Sequence, residues 1–340
     1  MQKNIDIMEN DILTKYPDLL EILLLDHTTG QNIFWATDNY QEYGESYEFE
    51  KPILSKLITG ENGNIIMPRV KKTKELQKSR SKERAEVFTP SWVCNCQNNL
   101  IDGAWFGREN VFNTEIEKSW QTNENKITFP ESKTWQDYVQ DARLEITCGE
   151  APYLASRYDT TTGEFIEIQN RIGLLDRKLR VINENVDESE KWLKMAQLAY
   201  QSTYGFEWQG DNLLLARETL LLTFIENYKF KFSREPQDKS IKTIAEIISW
   251  NLWQMDGLKG VIPKSCKPKI KTETNLFSTY EIKTECPGCK TGNIKLHENY
   301  GIYAEIKDWN AKNPETGKKG KVIRFIELLK NNRPLALNIF

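Results

Sequence analysis

An open α/β protein, with a parallel sheet, helices on both faces, an N-terminal extension and a small β-rich C-terminal region, is the fold class this sequence predicts. Two observations predict it. Between residues 84 and 260, β-prone apolar runs alternate with long helical patterns, as strands do when joined by helical crossovers. Several of those runs end on a small or acidic residue, and the crevice beyond such strand ends is where open α/β sheets bind ligands. The 340 residues are 39% hydrophobic, enough to fill the core this requires. Three parts follow: an extension over 1–83, the α/β domain over 84–260 and a C-terminal region over 261–340.

In the extension, Asp11 to Leu25 predicts a helix, and Ile33 to Ala36 a strand after the turn residues Thr28-Thr29-Gly30. Gly60, Gly63 and Pro68 mark loops before a basic run over 69–84. A net charge of −3 gives no global attraction to nucleic acid, so such binding has to come from a local patch. Lys71, Lys72, Lys74, Lys78, Arg80, Lys82 and Arg84 form either a solvated helix or linker, or a phosphate-contacting element.

After Pro90, Ser91 to Leu100 reads as a helix, and residues 101–142 as a helical elaboration with Trp105, Phe106, Trp120, Trp135 and Tyr138 packed inside. Leu144 to Thr147 is the first strand of the α/β domain. Cys148-Gly149 turns the chain, and Ala151-Pro152 opens a helix. Glu164 to Asn170 extends, and Arg171 to Asp176 is a second strand ending in an acid. That carboxylate either accepts from ribose hydroxyls or caps the following helix. A helix over 186–203, a third strand Tyr204 to Gln209, a long helix Leu213 to Tyr228 and a fourth strand Ile244 to Trp250 complete the domain.

The C-terminal region predicts strands at Tyr280 to Thr284 and Gly301 to Trp309 and a closing helix from Val322 to Asn331. Cys286-Pro287-Gly288-Cys289 is a knuckle-like turn that, with Cys266 and His297, supplies the four ligands of a tetrahedral structural zinc site. A reduced structural thiol pair and a redox dithiol are the other readings of the Cys-x-x-Cys spacing. Six cysteines in a chain this long do not read as a secreted disulfide framework. No run approaches the length of a membrane span, and the N-terminus lacks the basic-then-apolar layout of a leader. A cytoplasmic protein without membrane contact is the expectation.

Taken in order, these motifs resemble one family. Phe88-Thr89-Pro90 ahead of a strand, a Cys-Gly turn and a helix is similar to the amino-methyltransferases of restriction–modification systems, which use S-adenosylmethionine to methylate adenine N6 in DNA. The resemblance covers about Arg84 to Gly260 and implies a Rossmann-like methyltransferase sheet. It implies that Phe88, Thr89 and Pro90 hold the methionine part of the cofactor, with Glu145, Cys148 and Gly149 wrapping it. Asp176 would take the ribose and Asp211 the adenine amine. Asn251 and the Leu252 carbonyl would accept from the target amine, with Trp253 stacking on a flipped base. Glu150-Ala151-Pro152 replaces the second loop glycine, and Asn-Leu-Trp-Gln stands where the family has Asn-Pro-Pro-Tyr. The remaining chain leaves little room for a target-recognition domain, which implies a separate specificity or nuclease partner. Two functions follow from the resemblance: a DNA adenine methyltransferase of a restriction–modification or phage-defence system, or a methyltransferase-like subunit that binds DNA or a partner without transferring methyl groups. Methylation of RNA or of a protein amide is a third.

Overall fold

The computed structural model describes residues 9–16, 18–72, 89–274, 279–312, 314, 316–317 and 319–330. The N-terminal part holds α1 (Glu9–Lys15), α2 (Leu19–Leu24), the short antiparallel pair β1 (Leu25–Asp26) and β2 (Gln31–Asn32), and α3 (Ser55–Ile58). Helix α4 (Ser91–Phe106), a hairpin of β3 (Asn113–Ile116) and β4 (Ser119–Thr122), and α5 (Trp135–Gln140) lead to β5 (Arg143–Glu145). Helices α6 (Leu174–Asn185) and α7 (Ser189–Gln201) carry the chain to β6 (Thr203–Glu207). Helices α8 (Gly210–Phe232) and α9 (Asp238–Asn251) carry it to β7 (Leu252–Gln254). These three strands form one parallel sheet in the order β5-β6-β7, with Glu145 beside Gly205 and Glu207 beside Gln254. Two antiparallel ribbons follow: β8 (Lys269–Thr274) with β9 (Thr279–Thr284), then, beyond the short α10 (Pro287–Thr291), β10 (Glu305–Lys312) with β11 (Lys319–Arg324). Helix α11 (Phe325–Lys330) is the last described element.

The protein is therefore mixed α/β with many short sheets. Its parallel sheet has three strands, and no full Rossmann sheet forms among the described residues. Two expected strands are helix. Ile244 to Trp250 belongs to α9, where Ile241, Ile244, Ala245 and Ile248 bury one face at helical spacing; that period outweighs the β-branched composition. The run Arg171 to Asp176 crosses the start of α6, and Asp176 sits in its first turn. The helix expected from Ala151 does not form: residues 151–167 are turns and bends, with one bridge from Tyr158 to Phe165.

Helix α8 is buried almost all round, seventeen of its 23 residues, so the polar groups it carries inward need partners. Arg217 meets this demand with backbone carbonyls, donating to Leu23, Leu25, Ser249 and Leu252. Helix α4 shows the opposite pattern. Its buried stripe Ser91, Asn95, Asn98 and Asp102 is polar at spacings of four, three and four. Asp102 accepts from Arg177 at 2.5 Å and from the Tyr138 hydroxyl at 2.9 Å, with the Arg143 guanidinium 3.7 Å away. Arg177 also donates to Asn95 and Asn99. Of the aromatics expected to pack inside over 101–142, Trp105, Phe106 and Tyr138 do so, with Phe112 and Phe129; Trp135 is partly buried against the core, and Trp120 stands on the hairpin with its ring N–H on the Asn170 carbonyl.

No helix among the described residues is long and apolar enough to cross a membrane.

Candidate functional site

Two places in the fold gather chemistry. The first is the carboxyl edge of the parallel sheet, where neighbouring strand ends lie about 4.8 Å apart. Strand β5 ends on Glu145 and β6 on Glu207, and Asp256 follows β7 by two residues. All three are nearly buried. The loop leaving β5 is tightly wound: Thr147, Gly149 and Ala151 take positive φ of 47°, 53° and 60°. A β-branched residue there is a genuine strain, of the kind that collects at ligand sites.

The acids are fastened to that loop and its neighbours. Glu207 accepts from Gly149 N at 2.9 Å and Gln209 N at 3.1 Å. Glu145 reaches forward to the backbone N–H groups of Leu154 at 3.2 Å and Tyr153 at 3.4 Å. Asp256 accepts from Leu258 N and pairs with Lys259 at 3.3 Å. Burial pushes the Glu145 carboxyl well above its ordinary range, against the bonds from Tyr153 and Leu154, and the nearby Glu207 adds to the rise. Burial also raises Glu207. Burial and these two acids raise the Cys148 thiol, so it remains a neutral, space-filling group. Its sulfur lies against Gly205 of β6, where an added Cβ would sit 3.3 Å from it.

A carboxyl whose folded value is raised favours the folded state below its unfolded value, about pH 4.3 for Glu. That contribution is lost as pH rises through the folded value. Glu145→Gln, which keeps an acceptor for Leu154, is therefore expected to flatten the fall of melting temperature with rising pH. Thermal unfolding of both proteins from pH 4 upward reads this directly, and parallel curves would contradict the burial argument.

The structure brings Thr89 and Pro90 to the same loop system. The Thr89 carbonyl accepts from Thr160, and Ser91 N donates to Asp159 at 2.7 Å. Asn98 of α4 donates to the carbonyls of Tyr153 and Ile172. Glu150, in place of the second loop glycine, is buried and accepts from Arg69 N and the Tyr158 hydroxyl.

The other sequence-derived residues are placed elsewhere. Asp176 closes the start of α6, accepting from Gly173 N, Ser156 N and the Ser156 hydroxyl. Asp211 is fully buried at the start of α8, bonded to the Tyr40 hydroxyl at 2.7 Å and 4.0 Å from the Lys72 ammonium. The assignment of Asn251, Leu252 and Trp253 as a catalytic loop is corrected by their engagement. Asn251 ends α9 and donates to the carbonyls of Tyr200 and Thr203, while its own oxygen accepts from Trp309. The Leu252 carbonyl is held by Arg217. Trp253 is buried against Phe206 and Phe325. In this arrangement none of the three has a free group for a substrate amine or base. Of the basic set, Lys71 is exposed and Lys72 buried. Phe88, Lys74, Lys78, Arg80, Lys82 and Arg84 lie outside the described residues.

Sequence reasoning missed Glu207 and Asp256 as strand-end acids. Their signal was the repeat of an apolar run closing on an acid in Tyr204 to Glu207 and Leu252 to Asp256. An open cleft of about 860 Å³ between the β3–β4 hairpin and residues 165–170 shares no lining residue with the acids. Its amides largely bond one another, as Thr122 and Trp120 do with Asn170.

The second place is the thiol–imidazole cluster. The ligand atoms of Cys266, Cys286, Cys289 and His297 lie within 4.8 Å of one another. His297 Nδ1 is 3.3 Å from the Cys266 sulfur and 3.2 Å from that of Cys286, and those sulfurs are 3.9 Å apart. A tetrahedron with Zn–S bonds of about 2.3 Å has sulfur–sulfur edges of about 3.8 Å, so this set could hold a zinc ion. Burial opposes ionisation of Cys286, but the Cys289 and Gly288 N–H groups and the Cys266 and Cys289 thiols hold it below the usual thiol range. Burial and the Lys259 ammonium hold His297 below its ordinary value, in the neutral form a metal requires. Two glycines make the room: a Cβ on Gly288 would come within 2.6 Å of the imidazole, and one on Gly301 within 2.6 Å of the Cys266 sulfur.

No family model, curated protein or solved structure matches the chain.

Proposed function

We propose that the chain is a methyltransferase-type subunit that binds S-adenosylmethionine at the carboxyl edge of its parallel sheet. It would act on DNA, at adenine N6, within a restriction–modification or phage-defence assembly that supplies a specificity or nuclease partner. One observation carries the reading: three adjacent parallel strands lead to Glu145, to Glu207, which holds the strained Cys-Gly loop through Gly149, and, two residues beyond the third strand, to Asp256. Carboxylates so placed suit a nucleoside cofactor that also carries an ammonium. They accept from ribose hydroxyls and an adenine amine, and a bound cation relieves the repulsion between Glu145 and Glu207. In this reading Glu207 takes the ribose and Asp256 the adenine, the roles the sequence resemblance gave to Asp176 and Asp211. Zinc in the Cys₃His cluster would be structural, since four protein ligands leave no open position.

The engaged state of Asn251, Leu252 and Trp253 favours a second reading, in which the subunit holds cofactor and DNA without transferring the methyl group. Calorimetric titration with S-adenosylmethionine tests what the two share. Binding by the wild type is expected, weakened at least tenfold in Glu207→Gln and in Asp256→Asn, about 1.4 kcal/mol each. No heat at millimolar ligand would remove the cofactor from both. A methyl-transfer assay on DNA then separates them, with Asn251→Ala expected to alter folding stability rather than turnover chemistry.

A further inference from the structure

Among the β8–β9 residues whose side chains are described, only Glu273 falls below the exposed class, on either face. A two-stranded ribbon with no buried face is marginal by itself. This one is tethered at its base, with Cys266 three residues before β8 and Cys286 two residues after β9. It presents unusual chemistry for a solvated surface. Ile270 is 62% and Ile282 39% exposed, and the register pairs Ile270 with Lys283 and Lys271 with Ile282. Cross-strand partners share a face, so each face offers an isoleucine beside a lysine. From Lys264 to His297 there are seven lysines and three acids, in a chain whose net charge is −3. Lys267 pairs with the exposed Glu50 and Lys271 with the partly exposed Glu273, each at 2.8 Å, and such surface pairs are weak enough to exchange for phosphate.

We propose that this ribbon is the surface by which the chain engages duplex DNA, lying along the major groove with its Ile282 face towards base edges and Lys269, Lys271 and Lys283 on phosphates. Six residue pairs span about 20 Å at about 3.3 Å per residue. A major groove about 12 Å wide admits a two-stranded ribbon, and thymine methyl groups there give apolar side chains a partner. The cysteine–histidine cluster fixes the angle at which the ribbon leaves the body. The inference rests on the reading of the chain as a DNA-acting protein and deepens it by assigning the contact.

The test is fluorescence anisotropy of a labelled duplex titrated with the full chain at several salt concentrations. The triple variant Lys269→Ala/Lys271→Ala/Lys283→Ala is compared with Lys56→Ala/Lys239→Ala, which removes exposed lysines elsewhere. The ribbon variant is expected to bind at least tenfold more weakly, with the logarithmic salt slope reduced by about 2 to 3. The control should match the wild type, and metal content and S-adenosylmethionine binding should be unchanged in both. Equal affinity and slope in the ribbon variant would overturn the assignment and leave the DNA reading standing. Absence of duplex binding by a wild type that still binds S-adenosylmethionine would overturn it while sparing the cofactor site. Equal losses in ribbon variant and control would also overturn it, because only net charge would then matter.

Discussion

Protein purified with zinc available is expected to carry one equivalent, and Cys286→Ser is expected to lose both the metal and the fold of the C-terminal region. The effect should be large around the cluster, while Ala304, Ile306 and Phe325 still pack on Leu144, Phe206, Trp253 and Met255 of the body. Around the cluster the apolar core is a small set, Val261, Tyr303 and Ile326 with Cys266 and Ile294 against it. The Tyr303 hydroxyl ties the rest, accepting from His297 N and donating to the Ile294 carbonyl. Zinc bound by such a ligand set contributes on the order of 10 kcal/mol to folding, far above what these contacts supply. Allowing for partial compensation by the remaining ligands, a loss of about 4 kcal/mol corresponds to a fall in Tm of roughly 6 °C for a chain of 340 residues. Metal analysis and hydrogen exchange over residues 260–326 are the measurements. An unchanged Tm together with no metal in the wild type would show that the thiols serve only as packing.

Asp102→Ala is expected to cost about 3–5 kcal/mol, the usual penalty for breaking one side of a buried ion pair. Asp102 is 1% exposed, and its removal leaves the buried Arg177 guanidinium with only the Asn95 and Asn99 amides and takes one of two carboxylates from Arg143. It also frees the Tyr138 hydroxyl at the centre of the aromatic cluster. Asp102→Asn, which keeps one acceptor and loses the charge, should fall between the two in chemical denaturation. The same helix carries Asn98 to the Tyr153 carbonyl, so Asp102→Ala should weaken cofactor binding as well. A loss below 1 kcal/mol would mean that the stripe is solvated in solution.

Much of the positioning framework was legible in the sequence. The first strand and its Cys-Gly turn, the strand ending at Glu207, the helices at 91–106, 189–201 and 210–232, and the close spacing of the metal-ligand set all follow from local patterns. What was not legible depends on partners distant in sequence. Asn251 looks like a loop residue because its side chain is polar, yet its amide is absorbed by Tyr200, Thr203 and Trp309. Asp211 sits two residues beyond a strand-closing glutamine and reads as a ligand acid, but Tyr40, 171 residues earlier, takes its carboxylate. The run Ile-Ala-Glu-Ile-Ile carries both a β-branched composition and a helical period, and burial against α7 and α8 decides for the helix. The buried polar stripe of α4 inverts the usual rule that helical periodicity is read from apolar residues.

The segment around Phe34 is joined to the far end of the sheet: the Gln254 amide bonds both its N–H and its carbonyl, and Gly210 N donates to the Trp35 carbonyl. These partners stand 220 residues apart for Gln254, so the chain closes on itself only after most of it exists. At typical synthesis rates of 5–20 residues per second, the first strap of backbone waits on the order of 10–40 s for its acceptor. During that interval Trp35, fully buried in the finished protein, has only its local cover, Tyr40 and Tyr47. Contacts of such long range also slow refolding from denaturant. The N-terminal segment is thus made first but completed only when the last strand of the sheet arrives.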